Sequence, residues 1–252
     1  MSAVLAAEEA APGVLMMTLD RPAQRNAIDL VLLEALLATL ERFQTEAQWR
    51  AAILTGRGPA FCAGLDLKTF SAPDAPRHRV GQMIRSLPYL GKPIIAAVNG
   101  AAFTGGLELA LACDFILAGE DARFGDTHAK IGALSGSGMG SRLPHAVGTR
   151  FAKQMSLSCQ PIDAATALRV GLVNEVLSNE WLLPRAIEVA SAIASHDPGL
   201  VGITKTTLDR GAESTLAEAI ALEAEALARR KAEGDMIWTA PGGQPTSQPG
   251  GV

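Results

Sequence analysis

The chain has 252 residues, of which 48% are hydrophobic and 19% charged, with a net charge of −4. That balance excludes a disordered chain and argues against broad binding of nucleic-acid phosphates. No apolar stretch reaches the roughly 18 residues a membrane span needs, and three widely spaced cysteines, Cys62, Cys113 and Cys159, fit neither a disulfide framework nor a zinc site.

The four histidines are scattered, so no metal centre is expected. The N-terminus carries Glu8 and Glu9 and no basic segment, so it does not read as a signal peptide. Reduced thiols and a cytoplasmic setting are the expectation. The length allows one large domain, or a core with an appendage.

Val14 to Leu19 reads as the first strand, closed by Arg21-Pro22. A polar loop, RPAQRNAIDL, follows and carries Arg21 and Arg25. Asp29 is placed to cap a helix with the apolar stripe Leu30, Leu33, Leu36, Leu37, Leu40 and Phe43. Ala51 to Thr55 is a short buried strand. It leads into AFCAGLDLKTF, residues 60–70, where Gly64 is followed by Asp66. A glycine turn after a strand can aim a backbone N–H into a cleft; it can equally be an ordinary strand-to-helix loop. Residues 71–80 read as a loop with two prolines, and a helix is expected from about Val80 to Leu90.

The chain is organised around PIIAAVNGAAFTGGLELALACD, residues 93–114. Ile94 to Val98 suits a strand buried on both faces, and Asn99-Gly100 is a turn signal. Gly105-Gly106 then opens an apolar helix holding one carboxylate, Glu108. A buried carboxylate is costly unless solvated, paired or put to use. If the helix starts near Gly105, Glu108 leans back over the Gly105 amide. The first amides of a helix have no intrahelical partner and carry the positive end of its dipole. An oxyanion donor and a general base one turn apart would suit enolate chemistry beside a carbonyl. A buried helix with one exposed or salt-bridged glutamate fits the same residues.

Phe115 to Ala118 reads as another strand. Asp126 is placed to cap a short helix holding His128 and ending near Gly132, or to orient the imidazole. The Gly/Ser-rich run 135–141 has neither GxGxxG nor P-loop spacing, so it is not read as a phosphate loop, and a nicotinamide-binding unit is disfavoured. Asp163 caps a short helix, Leu172 to Leu177 is a strand, and Ser178 caps another helix. The last helix is expected from Ala212 to about Ala232, followed by a Gly/Pro-rich tail of disordered composition. Strands alternating with helices imply an α/β class.

Five motifs together resemble the crotonase, or enoyl-CoA hydratase/isomerase, superfamily: LDRPAQRNAID, AFCAGLDLK, KPIIAAVNGAAFTGGLELALACD, FGDTHAKIG and ALRVGLVNEV. The resemblance runs from Val14 to about Gly234. It implies a spiral of ββα units over 1–195, a helical trimerisation region over 196–234, and a tail over 235–252. It implies homotrimers or dimers of trimers, an acyl-CoA substrate, and no further cofactor. Backbone amides of Leu65 and Gly105 match the family's hole for the thioester oxygen. Ala63, Asp66 and Leu67 match residues beside the pantetheine and adenine of CoA, and Arg25 matches a basic residue near its phosphates.

Glu108 matches the first of two hydratase glutamates. The second falls in a segment that usually reads FGxPE; here it reads FGDTH, and the matching residue is His128. A neutral imidazole can exchange protons near pH 7, and a helix N-terminus would favour that neutral form. Alternatively His128 merely lines the pocket. The resemblance therefore implies syn hydration of a trans-2-enoyl-CoA, with double-bond isomerisation as the close alternative and a non-catalytic acyl-CoA-binding protein as the reading of another class. The Gly/Pro-rich tail also replaces the basic-aromatic ending common in the family.

Overall fold

The computed structural model describes residues 4–232 and Gly234. The Gly/Pro-rich tail expected over 235–252 lies outside the described residues.

The fold begins with a hairpin, β1 (Leu5–Ala11) and β2 (Val14–Leu19), paired antiparallel. Here the sequence reading was one strand short. LAAEEAA is poor in β-branched residues, and it forms a strand because the β2 backbone gives it an edge to pair with. Helix α1 (Leu30–Thr45) follows, and Asp29 caps it by accepting from the Leu32 amide at 2.8 Å. Its buried face is Leu32, Leu33, Leu36, Thr39, Leu40 and Phe43, whereas Leu30, expected in the stripe, is exposed. Leu30 is the first helical residue, where the stripe has not yet turned to the core.

Three strand–strand–helix turns come next. The first is β3 (Ala51–Gly56), β4 (Ala60–Cys62), α2 (Leu67–Phe70) and α3 (Arg77–Ser86). The second is β5 (Ile94–Val98), β6 (Ala101–Phe103) and α4 (Gly105–Leu111). The third is β7 (Phe115–Gly119) and β8 (Arg123–Gly125), followed by α5 (Met139–Val147) and α6 (Thr149–Ser158). In each turn the first strand joins one sheet and the second strand joins another. The sheets run β1-β2-β3-β5-β7-β10, where β10 is Glu175–Leu177, and β4-β6-β8-β9, where β9 is Ile162–Asp163, with β3, β5 and β7 parallel in one and β4, β6 and β8 parallel in the other. The chain thus advances as a spiral of ββα units.

The remaining elements are β9 (Ile162–Asp163), α7 (Ala164–Arg169), β10 (Glu175–Leu177), α8 (Asn179–Ala194), α9 (Pro198–Ala212) and α10 (Leu216–Ala232). Asp163 caps α7 by accepting from the Thr166 amide. Ser178 stands at the N-cap of α8, but its hydroxyl makes no capping bond. The strand expected from Leu172 is confined to Glu175–Leu177, because Leu172 and Val173 are buried in the turn before it. Helix α3 starts at Arg77, inside the segment read as a loop, and α10 starts four residues later than expected.

The six-stranded sheet explains the apolar runs. Ala51, Ile53, Ile95, Ala97 and Leu117 face Leu182, Ala186, Ala190 and Ala194 of α8, which recur every fourth residue. Their neighbours Ala52, Leu54, Ala96 and Val98 face the larger core with α1 and α4. Both faces are covered, so the strands read as continuous rather than alternating. The chain divides into two compact units, Met1–Gly202 and Ile203–Val252. The division falls inside α9, whereas the sequence reading put a boundary at 195/196. No described helix is long and apolar enough to cross a membrane.

Candidate active site

A cavity of about 430 Å³ lies where the loops after β4, β6 and β8 meet α3. Ala63, Leu65, Leu67, Thr104, Gly105, Glu108 and His128 all line it.

The Gly64–Leu65 turn sets one wall. Leu65 is bridged to Ile28, with Ile28 N donating to Gly64 O and Asp66 N donating to Ile28 O, both at 2.8 Å. Asn26 anchors this ribbon from beneath: its fully buried amide donates to Ala60 O at 2.7 Å and Arg57 O at 3.0 Å, and accepts from Arg21 N. Arg21 pairs with Asp29 at 2.8 Å and with Asp66 at 3.2 Å. Sequence reasoning saw here only a polar loop, since these partners lie up to 45 residues apart.

Gly64 has φ +101°, and a Cβ there would fall 2.2 Å from Thr104 Oγ1 and 3.2 Å from Gly105 N. Only glycine fits this approach. Thr104 itself has φ 48°, an uncommon conformation for a β-branched residue, held by hydrogen bonds from its amide to Gly125 O and its hydroxyl to Phe103 O. A Cβ on Gly105 would lie 3.6 Å from Leu65 N, so the two turns abut. Neither the Leu65 amide nor the Gly105 amide donates to another described group.

Glu108 sits one turn into α4 and is 2% exposed. Its Oε1 accepts from Ser135 Oγ at 2.5 Å, Ser137 N at 3.0 Å and Met139 N at 3.3 Å. The Gly/Ser-rich run, to which the sequence reading gave no role, is therefore the cradle of this carboxylate. Its Oε2 makes none of these bonds and faces His128 Nε2 at 3.9 Å. The ordinary salt-bridged glutamate weighed from the sequence would need a lysine or arginine, and none pairs with Glu108 among the described residues.

His128 is held from its other side. Asp126 Oδ1 accepts from its Nδ1 at 2.7 Å and from its backbone N at 3.2 Å. Asp126 thus orients the imidazole and caps no helix, since the turn Ala129–Ile131 starts from His128 without a side-chain cap. The hydrogen bond to Asp126 raises the His128 pKa against the effect of burial, and the charges of Glu108 and Asp126 add to the rise. The helix whose dipole would favour the neutral imidazole is only a three-residue turn, and the larger influence on the ring is the Asp126 carboxylate. Burial pushes Asp126 up, but hydrogen bonds from His128 and Ser156 carry it below the ordinary aspartate value.

Among the residues matched to CoA contacts, Ala63 and Leu67 line the cavity. Asp66 is held by Arg21 and caps α2 by accepting from Lys68 N at 3.0 Å. Arg25 is exposed and outside the cavity wall, with its carbonyl accepting from Ala63 N. Among the described residues, no three of His, Cys, Asp or Glu are grouped to hold a metal ion.

A family model described as enoyl-CoA hydratase/isomerase matches residues 9–236. The chain is 38% identical to a 2,3-dehydroadipyl-CoA hydratase of Escherichia coli (strain K12), covering 83% of this chain and 84% of the relative. It is 36% identical to a short-chain-enoyl-CoA hydratase of Clostridium acetobutylicum, covering 84% of each. The crystal structure of an enoyl-CoA hydratase from Bacillus anthracis matches with a TM-score of 0.85 at 38% identity, covering 89% of each chain. With the spiral of ββα units and the match over nearly its whole length, this chain belongs to the enoyl-CoA hydratase/isomerase family.

Proposed function

We propose that the protein adds water across the double bond of a trans-2-enoyl-CoA, giving a 3-hydroxyacyl-CoA. The observation that carries this reading is the division of labour at Glu108: Oε1 is saturated by three donors, and Oε2 is left facing His128 Nε2 at 3.9 Å. Two hydrogen bonds of ordinary length span that gap through one water.

The thioester oxygen accepts from the Leu65 and Gly105 amides. Glu108 Oε2 takes a proton from the water, whose oxygen bonds to C3. The π electrons of the double bond move toward the thioester oxygen, where the two amides stabilise the enolate-like charge. His128 Nε2 then gives its proton to C2, and the carbonyl re-forms. Glu108 ends protonated and His128 neutral, and a proton passed back through the next water resets both. The raised His128 pKa supports the acid role for the imidazole.

Ala63 and Leu67 flank the pantetheine arm, Asp66 orders the turn that carries Leu65, and exposed Arg25 serves the CoA phosphates. Exposed Leu208, Leu216, Ile220 and Leu227 on the C-terminal helices support self-association of this region into trimers, or pairs of trimers. A cytoplasmic setting fits the free cysteines.

The test is product identity. Crotonyl-CoA incubated with the protein in deuterated water gives 3-hydroxybutyryl-CoA with one deuteron at C2. Migration of a 3-enoyl double bond without hydration would transfer the reading to isomerase, and thioester binding without turnover would leave only a binding protein.

A further inference from the structure

Resting on the acyl-CoA reading above, we infer that the preferred acyl chain ends in an anionic group, a carboxylate, received by Arg85 and Arg77 on α3. Arg77, His78, Gly81 and Arg85 of this helix all line the cavity. Helix α3, RHRVGQMIRS, contains no acidic residue. Its remaining arginine, Arg79, is turned away and neutralised by Glu34 at 2.6 Å.

Arg77 and Arg85 are not neutralised. Arg77 donates from Nε to Phe70 O at 2.7 Å and from Nη2 to Ala72 O at 2.6 Å, and Arg85 donates from Nη1 to Gly136 O. Carbonyls fix the direction of a guanidinium without cancelling its charge. Each guanidinium has five N–H donors, so most remain open. Neither arginine belongs to an ion pair among the described residues, and the one carboxylate on the cavity wall is Glu108, whose Oε1 is already saturated.

Phe70 and Leu134 line the same cavity. A cavity that combines apolar side chains with two oriented cations fits methylenes ending in a carboxylate. The phosphates of CoA share that chemistry, but position favours the acyl end. Arg85 is bound to Gly136, next to Ser137, whose amide holds Glu108. The reacting carbons lie beside Glu108, and the phosphates stand a full pantetheine arm away.

The experiment compares two six-carbon substrates: the CoA monothioester of trans-2-hexenedioic acid, and trans-2-hexenoyl-CoA. The expected kcat/KM ratio is about 10-fold in favour of the carboxylate-ended thioester. The ratio should fall toward one in Arg85→Met, and part of the way in Arg77→Gln. A ratio near one in the native protein overturns the inference. So does a ratio unchanged in both variants, with equal losses on the two thioesters, which gives the arginines to the CoA phosphates. Calorimetric binding of the saturated analogues, adipoyl-CoA and hexanoyl-CoA, separates this claim from the hydratase reading. A tenfold tighter adipoyl complex without hydration of either substrate keeps the anion site and removes the reaction; equal binding of the two removes the anion site.

Discussion

Glu108 Oε2 and His128 Nε2 face each other across 3.9 Å, and each is fixed from behind, Glu108 by the 135–139 loop and His128 by Asp126. Both groups are thereby held in one rotamer before a ligand arrives. Such pre-organisation is what a proton-transfer pair requires.

Replacing Glu108 with glutamine keeps the volume and removes the base. The hydration rate should fall by about 10³-fold, while circular dichroism and the melting curve stay native-like. A retained rate with an intact fold would exclude Glu108 as the proton acceptor.

Ser135 is a positioning residue. Its hydroxyl donates to Glu108 Oε1 at 2.5 Å and lies 3.2 Å from Met139 N, which makes the bond directional. Ser135→Ala removes one of the three donors to the Glu108 carboxylate, a loss of about 1.5 kcal/mol there. We expect kcat to fall roughly tenfold with KM nearly unchanged, and Ser135→Thr to recover most of it. A change in KM alone would indicate a pocket-lining role instead.

The His128 pKa is raised, so the imidazolium persists above its ordinary value of about 6.5. As proton donor, it should give kcat an alkaline limb lying above that value. Asp126→Asn removes the largest cause of the rise and should move the limb to lower pH. Stability follows the same sign: the His128 contribution is complete below about pH 6.5 and is lost as pH rises through the raised folded value. Native and Asp126→Asn unfolding curves at several pH values measure this directly.

Gly64→Ala places a methyl group against Thr104 Oγ1 and the Gly105 amide, at a φ that side chains avoid. The expected cost is about 2 kcal/mol or more of stability, together with a lower kcat because the Leu65 and Gly105 amides move apart. A variant with native stability and rate would mean that the Gly64 turn does not set the spacing of the two amides.

What the sequence disclosed was mostly local. Asp29 as a cap and Glu108 as a lone carboxylate in an apolar helix are signals within a few residues of each other. The two glycine turns were visible as turns, while their close approach to each other was not. The cradle of Glu108 was invisible because its donors come 27 to 31 residues later, from a run whose composition resembles any loop. Both a cap and an imidazole partner are open to Asp126 in the sequence, because a capping pattern does not say where the imidazole points. Asn26 gave no signal, because its partners Arg57 and Ala60 reach it only once β3 and β4 are folded over the loop. Strand β1 was missed because pairing with β2, rather than its own propensity, makes it a strand.

The most direct test of the central claim is the hydration rate of crotonyl-CoA, followed as loss of the conjugated enoyl-thioester absorbance, in the native protein and in Glu108→Gln and His128→Ala. The account predicts turnover by the native protein and loss of about 10²-fold or more in each variant. Native-level turnover in His128→Ala would contradict it, by showing that Glu108 works without the partner it faces.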